Sequence, residues 1–148
     1  MDVKPAIRAK PLILEKTLPA PANRVWQALT DSSQMRKWYF DIPEFKPEPG
    51  FEFRFTAGSE SKTYVHLCKV TEVIPGRKIA YTWRYQDCPG ESEVSFELFP
   101  EGSNTRVRVT HSGLESFPQD SKDFAKESFT EGWNQILGTS LWKFVEAK

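Results

Sequence analysis

The chain has 148 residues, and its 20 basic and 20 acidic side chains cancel to a formal net charge of zero. That balance gives no overall field to attract a phosphate backbone, so we expect no nucleic-acid partner. The length predicts one domain over residues 1–148, and the aromatic content of 14% is enough to fill a large core or to line a cavity.

The first predicted elements are one strand and two short helices. The strand-like run Leu12–Leu18 is followed by two prolines, which cannot donate to a continuing strand ladder. Proline suits the first turn of a helix, and a short helix is predicted over residues 21–30. The pattern Asp31-Ser-Ser-Gln34 is typical of a capping box and predicts a second short helix that carries Trp38.

A run of strands is predicted after Gly50. Phe51, Phe53 and Phe55 alternate with polar residues, which indicates a strand that is buried on one face. Further strands are predicted over residues 63–74, 78–86, 91–99 and 105–111. Short turns with proline or glycine separate them, and such turns favour antiparallel neighbours.

The alternation of side chains along these strands predicts an aromatic inner face. Its members are Ile79, Tyr81, Trp83, Tyr85, Val94, Phe96, Leu98, Val107, Val109 and His111. The opposite face is charged, and we expect Glu97 to lie near Arg106 across the last hairpin. Such an exposed pair contributes only tenths of a kcal/mol, so these charges are interpreted as surface groups.

The last stretch predicts a long helix, from about Ser121 to Ala147. Its apolar residues recur at helical spacing, at Phe129, Trp133, Ile136, Leu137, Leu141 and Phe144. A helix of this length needs a broad surface, and a sheet is the broadest one available. The order of elements therefore predicts an α+β fold in which a curved antiparallel sheet wraps around the C-terminal helix.

The two parts of this helix are expected to differ. The part from Ile136 to Phe144 is interpreted as an anchor on the sheet, whereas the part from Phe129 to Trp133 is expected to roof a cavity. Gly132 costs helix stability, and either room for a ligand or the close approach of another backbone would explain it.

Five segments, taken in order, resemble the signatures of one known family. They are Pro21-Ala-Asn-Arg-Val-Trp-Gln-Ala-Leu-Thr-Asp31, Trp38-Tyr39, Tyr81-Thr-Trp83, His111-Ser-Gly-Leu114 and Glu131-Gly-Trp133. The family is that of the domain shared with the activator of heat-shock protein 90 ATPase. It belongs to the START-like (SRPBCC) helix-grip superfamily, together with birch-pollen allergens, polyketide cyclases and lipid-transfer domains.

The resemblance covers about residues 12–146 and implies a stand-alone member of the family. It also implies a six- or seven-stranded antiparallel sheet around the C-terminal helix, with a cavity between them. The superfamily contains carriers, cyclases and chaperone regulators on one scaffold, so the resemblance alone does not choose an activity.

Our first hypothesis is a protein that binds a small hydrophobic or aromatic molecule in this cavity, without catalysis and without a cofactor. Trp38 and Tyr39 are expected at its mouth, as a lid. The residues predicted to contact the ligand are Trp38, Tyr39, Phe53, Phe55, Tyr64, His66, Tyr81, Trp83, Phe96, His111, Phe129 and Trp133.

Two alternatives stay open. In the first, His111 and a tyrosine act as the acid–base pair of a cyclase-like or dehydratase-like enzyme. The structural interpretation of His111, a ring bonded to backbone carbonyls in the His-Ser-Gly turn, is the one we favour. In the second, which follows from the resemblance, the protein is a co-factor or stress-response partner of a heat-shock protein 90 chaperone.

Metal and membrane functions are not expected. His66 and Cys68 share a strand face, but no further histidine or cysteine stands at ligand spacing. Cys68 and Cys88 are interpreted as reduced thiols of a cytoplasmic protein, either a monomer or a weak homodimer. The N-terminal residues contain no apolar run that would form a signal peptide or a membrane span.

Overall fold

A computed structural model describes residues 10–58, 63–118 and 124–147. It shows a curved, six-stranded antiparallel sheet packed against a C-terminal helix, which confirms the predicted helix-grip fold. The strands are β1 (Leu12–Leu18), β2 (Glu52–Gly58), β3 (Thr63–Ile74), β4 (Lys78–Tyr85), β5 (Ser92–Glu101) and β6 (Asn104–Ser112). Their order across the sheet is β1-β6-β5-β4-β3-β2.

Two short helices, α1 (Ala22–Thr30) and α2 (Ser32–Trp38), follow β1 in the chain. Because β1 and β2 are opposite edges of the sheet, this segment carries the chain from one edge to the other. The Asp31 carboxylate caps α2 by accepting hydrogen bonds from the Ser33 N–H (2.9 Å) and hydroxyl (2.8 Å). Gln34 does not complete the predicted capping box, because its side chain accepts a hydrogen bond from Arg24 (3.3 Å).

The predicted inner face of the sheet is confirmed. All ten of its members from β4, β5 and β6 are buried, among them Tyr81 and His111. The predicted pairing of Glu97 with Arg106 is wrong, since Glu97 lies opposite Arg108. The reason is that Glu101 pairs with Asn104, so the hairpin turn falls one residue later than the sequence indicated.

The C-terminal helix, residues 126–147, has three parts. They are α3 (Lys126–Gln135), a π-helical segment (Ile136–Leu141) and α4 (Trp142–Ala147). The prediction that the helix begins near Ser121 falls partly on residues 119–123, which lie outside the described residues. Phe124 precedes the first turn, so the described helix is shorter than predicted.

The π-helical segment corrects the predicted apolar stripe. The buried residues of the helix are Phe129, Trp133, Leu137, Leu141 and Val145, one at every fourth position. In an α-helix each four-residue step overshoots a full turn by about 40°, and the wider π turn compensates for this drift. For the same reason two predicted members, at positions 136 and 144, are only half-buried.

Candidate functional site

A pocket of about 440 Å³ lies between the first turns of the C-terminal helix and one end of the sheet. At this end β2 and β4 finish and β3 begins. The lining residues are Phe40, Ala57, Gly58, Tyr64, His66, Trp83, Tyr85, Phe124, Ser128, Phe129, Gly132, Trp133 and Ile136. Most of them are aromatic, and within the described part of the chain no charged side chain is among them.

Strand geometry places the sheet side of this pocket. Residues two apart on a strand point to the same face, which directs His66 of β3 and Trp83 and Tyr85 of β4 toward the helix. His66 is paired with Tyr85 across the two strands, and their ring centroids are 4.8 Å apart. The sheet wall of the pocket is therefore a cross-strand aromatic cluster.

The helix side of the pocket is open at Gly132. A Cβ atom built at this position would meet no other atom within 4 Å. Its neighbour Trp133 is buried, with 2% of its surface exposed, and forms the inner part of the wall. Gly132 lines the pocket and is exposed, so no side chain of its own fills the space on this side of the helix.

His66 and Tyr85, two polar residues of the pocket, are neutral at physiological pH. The His66 Nδ1 donates to the Tyr64 carbonyl (3.1 Å), and burial lowers the pKa of His66 to about 4 although the carbonyls of Tyr64 and Phe55 favour the protonated ring. The Trp83 indole donates to the Tyr85 hydroxyl (2.9 Å). Burial raises the pKa of Tyr85 above its ordinary value, so its hydroxyl keeps its proton.

His111 is sealed behind this wall and does not line the pocket. The Trp133 Nε1–H, which can only donate, bonds to His111 Nδ1 (3.0 Å). The Ser92 hydroxyl donates to the Trp83 carbonyl (2.8 Å) and therefore accepts from His111 Nε2 (2.8 Å). Both ring nitrogens are thus satisfied in one neutral tautomer, and burial lowers the pKa of His111 to about 3.

The sequence was compared with the profiles of known protein families. The profile of one family, described as Activator of Hsp90 ATPase homolog 1-like protein, matches residues 19–146. The chain belongs to this family. The resemblance seen in the sequence is thereby confirmed. No curated protein sequence matches the chain.

Solved structures similar to this family member share its fold. A protein from Mesorhizobium loti is 26% identical, over 94% of this chain and 98% of that one, with a TM-score of 0.76. One from Chromobacterium violaceum is 24% identical, over 93% and 97%, with a TM-score of 0.78. DynU16, a protein of the dynemicin biosynthetic locus, is 20% identical, over 93% of this chain and 48% of that one, with a TM-score of 0.76.

In this family member, five of the predicted ligand-contacting residues line the pocket. They are Tyr64, His66, Trp83, Phe129 and Trp133. The other seven do not, namely Trp38, Tyr39, Phe53, Phe55, Tyr81, Phe96 and His111. The prediction placed these residues along the whole inner face, whereas the pocket occupies one end of it.

The opposite end of the inner face is filled by side chains. The Tyr39 and Tyr81 hydroxyls are hydrogen-bonded at 2.7 Å, and the ring of Phe53 packs edge-on against Tyr81 with centroids 5.0 Å apart. Phe40 stacks on Phe55 with centroids 4.3 Å apart and separates it from the pocket. Because of these contacts, several side chains that point to the inner face of the sheet do not line the pocket.

The two residues predicted to form a lid, Trp38 and Tyr39, do not line the pocket. Trp38 is buried and its indole donates to the Ala28 carbonyl (2.8 Å), which holds it against α1. Tyr39 is turned toward Tyr81. The next residue, Phe40, reaches the pocket instead, because the helix has ended and the chain direction changes there.

Sequence reasoning missed eight lining residues: Phe40, Ala57, Gly58, Tyr85, Phe124, Ser128, Gly132 and Ile136. For two of them, Tyr85 and Gly132, the sequence pattern already indicated a place near the pocket. Tyr85 shares the inward parity of Trp83, and either room for a ligand or the close approach of another backbone was expected at Gly132. Phe124 lies before the helix and packs against Tyr85, with centroids 5.0 Å apart, a contact that required the fold.

The described residues contain neither a cluster of metal ligands nor a helix that could span a membrane. Across residues 10–58, 63–118 and 124–147, no three His, Cys, Asp or Glu side chains come together as a set of metal ligands. In the same ranges no helix is long and apolar enough to cross a membrane. Cys68 and Cys88 are both free thiols, and burial raises the pKa of Cys68 above its ordinary value.

Proposed function

We propose that this protein binds a small hydrophobic or aromatic molecule in the pocket between the sheet and the C-terminal helix. The observation that carries the proposal is the pocket itself, about 440 Å³ in volume and lined mainly by aromatic side chains. Small-molecule sites in proteins are typically apolar clefts of about 300–1,000 Å³ with a few polar groups that fix orientation.

Gly132 supports the interpretation of this space as a site. Glycine inside a helix costs about 1 kcal/mol relative to alanine. A Cβ at this position would meet no atom within 4 Å, so packing does not require the glycine. Because glycine has no side chain, the space beside this turn of the helix stays unfilled, as a ligand site at this position would need.

The contacts of His111 favour binding without catalysis. The ring is fully buried, both of its nitrogens have hydrogen-bond partners, and Trp83 and Trp133 stand between it and the open pocket. A general acid–base must come within hydrogen-bond reach of the proton that it transfers. We therefore infer that His111 has a structural role, and that its partners are Ser92 and Trp133 side chains instead of the turn carbonyls.

The alternative of a chaperone co-factor is supported by family membership alone. It stays a prediction, and affinity capture with heat-shock protein 90 as bait would test it. Retention of the purified chain on the bait would support the role, and its absence from the bound fraction would count against it.

Indole N–H resonances provide the first test of ligand binding. Of the five tryptophans, Trp83 and Trp133 line the pocket, whereas Trp26, Trp38 and Trp142 do not. A panel of two-ring aromatic compounds, added to the labelled protein, should shift the Trp83 and Trp133 signals and leave those of Trp26 and Trp142 in place. A panel in which no compound shifts the two pocket signals would contradict the proposal.

A further inference from the structure

In the pocket, one hydrogen-bond donor and one hydrogen-bond acceptor have no partner among the described residues. The Tyr85 hydroxyl accepts a hydrogen bond from the Trp83 indole (2.9 Å), which leaves its own proton without an acceptor. Tyr85 is 5% exposed, so bulk water does not readily satisfy this donor. A buried donor without a partner is costly, and a ligand atom that accepts from it would remove the cost.

The second atom is Nε2 of His66. Because the Tyr64 carbonyl can only accept, the Nδ1 that lies 3.1 Å from it carries the proton of the neutral ring. Nε2 then carries a lone pair; the Phe55 carbonyl also lies near the ring but can only accept, so no described group donates to Nε2. His66 is 6% exposed and lines the pocket, so this acceptor is also removed from bulk water.

The two atoms belong to one unit of the wall. His66 and Tyr85 are cross-strand partners with ring centroids 4.8 Å apart, and both contact the same pocket. One offers a donor and the other an acceptor. A single hydroxyl group, which both accepts and donates, matches this pair.

We propose that the ligand is a neutral aromatic or alicyclic alcohol or phenol, whose hydroxyl accepts from Tyr85 and donates to His66 while its rings lie against Trp83 and Trp133. The inference rests on the proposed function, since it names the chemical class that the same pocket takes. The hydroxyl sits at the sheet wall, and the apolar body of the ligand extends toward Gly132.

The described lining residues of the pocket disfavour an anionic ligand head. Among the described lining residues there is no cation to offset the loss of hydration of a carboxylate. The Nε2 lone pair of His66 would also face that carboxylate, since at neutral pH this nitrogen carries no proton. A carboxylate of the same shape should therefore bind more weakly than the alcohol.

Four compounds with one ring system test the inference by calorimetry at pH 7. They are naphthalene, 2-naphthol, 2-methoxynaphthalene and 2-naphthoate. We expect 2-naphthol to bind roughly tenfold more tightly than naphthalene, with 2-methoxynaphthalene between them because it accepts but does not donate. We expect 2-naphthoate to be the weakest of the four.

Two variants locate the effect. Tyr85→Phe and His66→Phe should each reduce the preference for 2-naphthol over naphthalene by about fivefold, with naphthalene affinity retained. Tyr81→Phe is the control, because its hydroxyl is bonded to Tyr39 and does not line the pocket, and it should keep the full preference. The preference is the ratio of the affinities for 2-naphthol and naphthalene, both measured on the same variant. A general loss of stability would lower both affinities and would leave this ratio unchanged.

The outcomes separate this inference from the proposed function. If none of the four compounds binds the wild-type protein, the proposed function fails and the inference fails with it. If naphthalene and 2-naphthol bind equally well, or if 2-naphthoate binds best, the pocket is a binding site but the inference is overturned. A preference that survives in both Tyr85→Phe and His66→Phe also overturns it.

Discussion

At the scale of single residues, His111 joins the sheet to the C-terminal helix. One nitrogen of its ring accepts from Trp133 on the helix, and the other donates to Ser92 on β5. The Ser92 hydroxyl in turn donates a hydrogen bond to the Trp83 carbonyl of β4. Because every donor in this chain of hydrogen bonds has one acceptor, the network fixes the position of the helix without any buried charge.

Removal of the indole donor should therefore destabilise the protein. Trp133→Phe keeps an aromatic ring but leaves His111 Nδ1 buried without a partner, and we expect a loss of about 1–3 kcal/mol in the free energy of unfolding. Urea denaturation would measure it. The matched control is Trp142→Phe on the same helix, because no hydrogen bond of the Trp142 indole is found among the described residues. Equal losses in the two variants would contradict the role assigned to the network.

The two buried histidines should make the fold sensitive to mild acid. Their native pKa values lie below the ordinary 6.5, at about 4 for His66 and about 3 for His111. Between these values and 6.5 the unfolded chain binds more protons than the native one, so stability is complete above pH 6.5 and is lost as pH falls. Between pH 7 and pH 5 we expect a loss of about 2 kcal/mol for each histidine.

A variant without one titrating ring checks this pH dependence. His111→Gln should be less stable than the wild type at pH 7, but it should lose about 2 kcal/mol less between pH 7 and pH 5. Urea midpoints at the two pH values give both numbers. An identical pH slope in the variant and the wild type would show that His111 is not held neutral by burial.

The inward direction of His111 was predictable, but its partners were not. Period-two alternation with Val107 and Val109 places the ring on the inner face. Ser92 and Trp133 lie on another strand and on the helix, and only the sheet register and the docking of the helix bring them to the ring. From the sequence alone, the carbonyls of the adjacent His-Ser-Gly turn were the expected partners, because they are close to His111 in the chain.

At the scale of elements, Gly132 lowers the stability of the C-terminal helix. Gly132→Ala should raise the free energy of unfolding by about 0.5–1 kcal/mol, because a Cβ there meets no atom within 4 Å and alanine is the better helix former. Thermal or urea unfolding measures the gain.

Gly90→Ala provides the opposite case in a loop. Gly90 has a φ of +105°, and a Cβ there would lie 2.5 Å from the Ser116 carbonyl oxygen. We expect a loss of more than about 1 kcal/mol. Destabilisation by Gly132→Ala as large as that by Gly90→Ala would show that the space beside Gly132 is not open.

The second half of the helix is the anchor. Leu141 is fully buried in the π-helical segment, and Leu141→Ala should cost about 2–5 kcal/mol. Ile13→Ala on β1 is a suitable control, since 53% of the Ile13 surface is exposed and its truncation should change stability little. A Leu141→Ala protein as stable as the wild type would overturn the division of the helix into an anchor and a pocket roof.

The existence of this helix and its docking face were predictable from the spacing of its apolar residues, but the π-helical segment was not. The α-helical template assigned Phe144 to the buried stripe, and the structure buries Val145 in its place. Insertion of a wider turn depends on how the helix fits the curved sheet. Gly138 lies in this segment, where a Cβ would stand 3.4 Å from the Lys16 side chain.

At the scale of the whole molecule, the sequence predicted the aromatic inner face but not which end of it stays open. That depends on where the chain goes after α2. Tyr39 and Phe40 close the inner face at Tyr81 and Phe55, and their positions follow from an irregular segment that has no periodic pattern. Local alternation determines the direction of a side chain, whereas tertiary packing decides whether open space remains in front of it.

A binding titration with a pocket-filling variant tests whether this pocket is the ligand site. N-phenyl-1-naphthylamine, a neutral probe whose fluorescence rises in apolar surroundings, should bind the wild-type protein. Gly132→Trp places a ring in the open space and should weaken binding about tenfold or more, whereas Asn134→Trp, at an exposed position of the same helix, should leave the affinity unchanged. Equal affinity in wild type, Gly132→Trp and Asn134→Trp would contradict the assignment of this pocket as the ligand site.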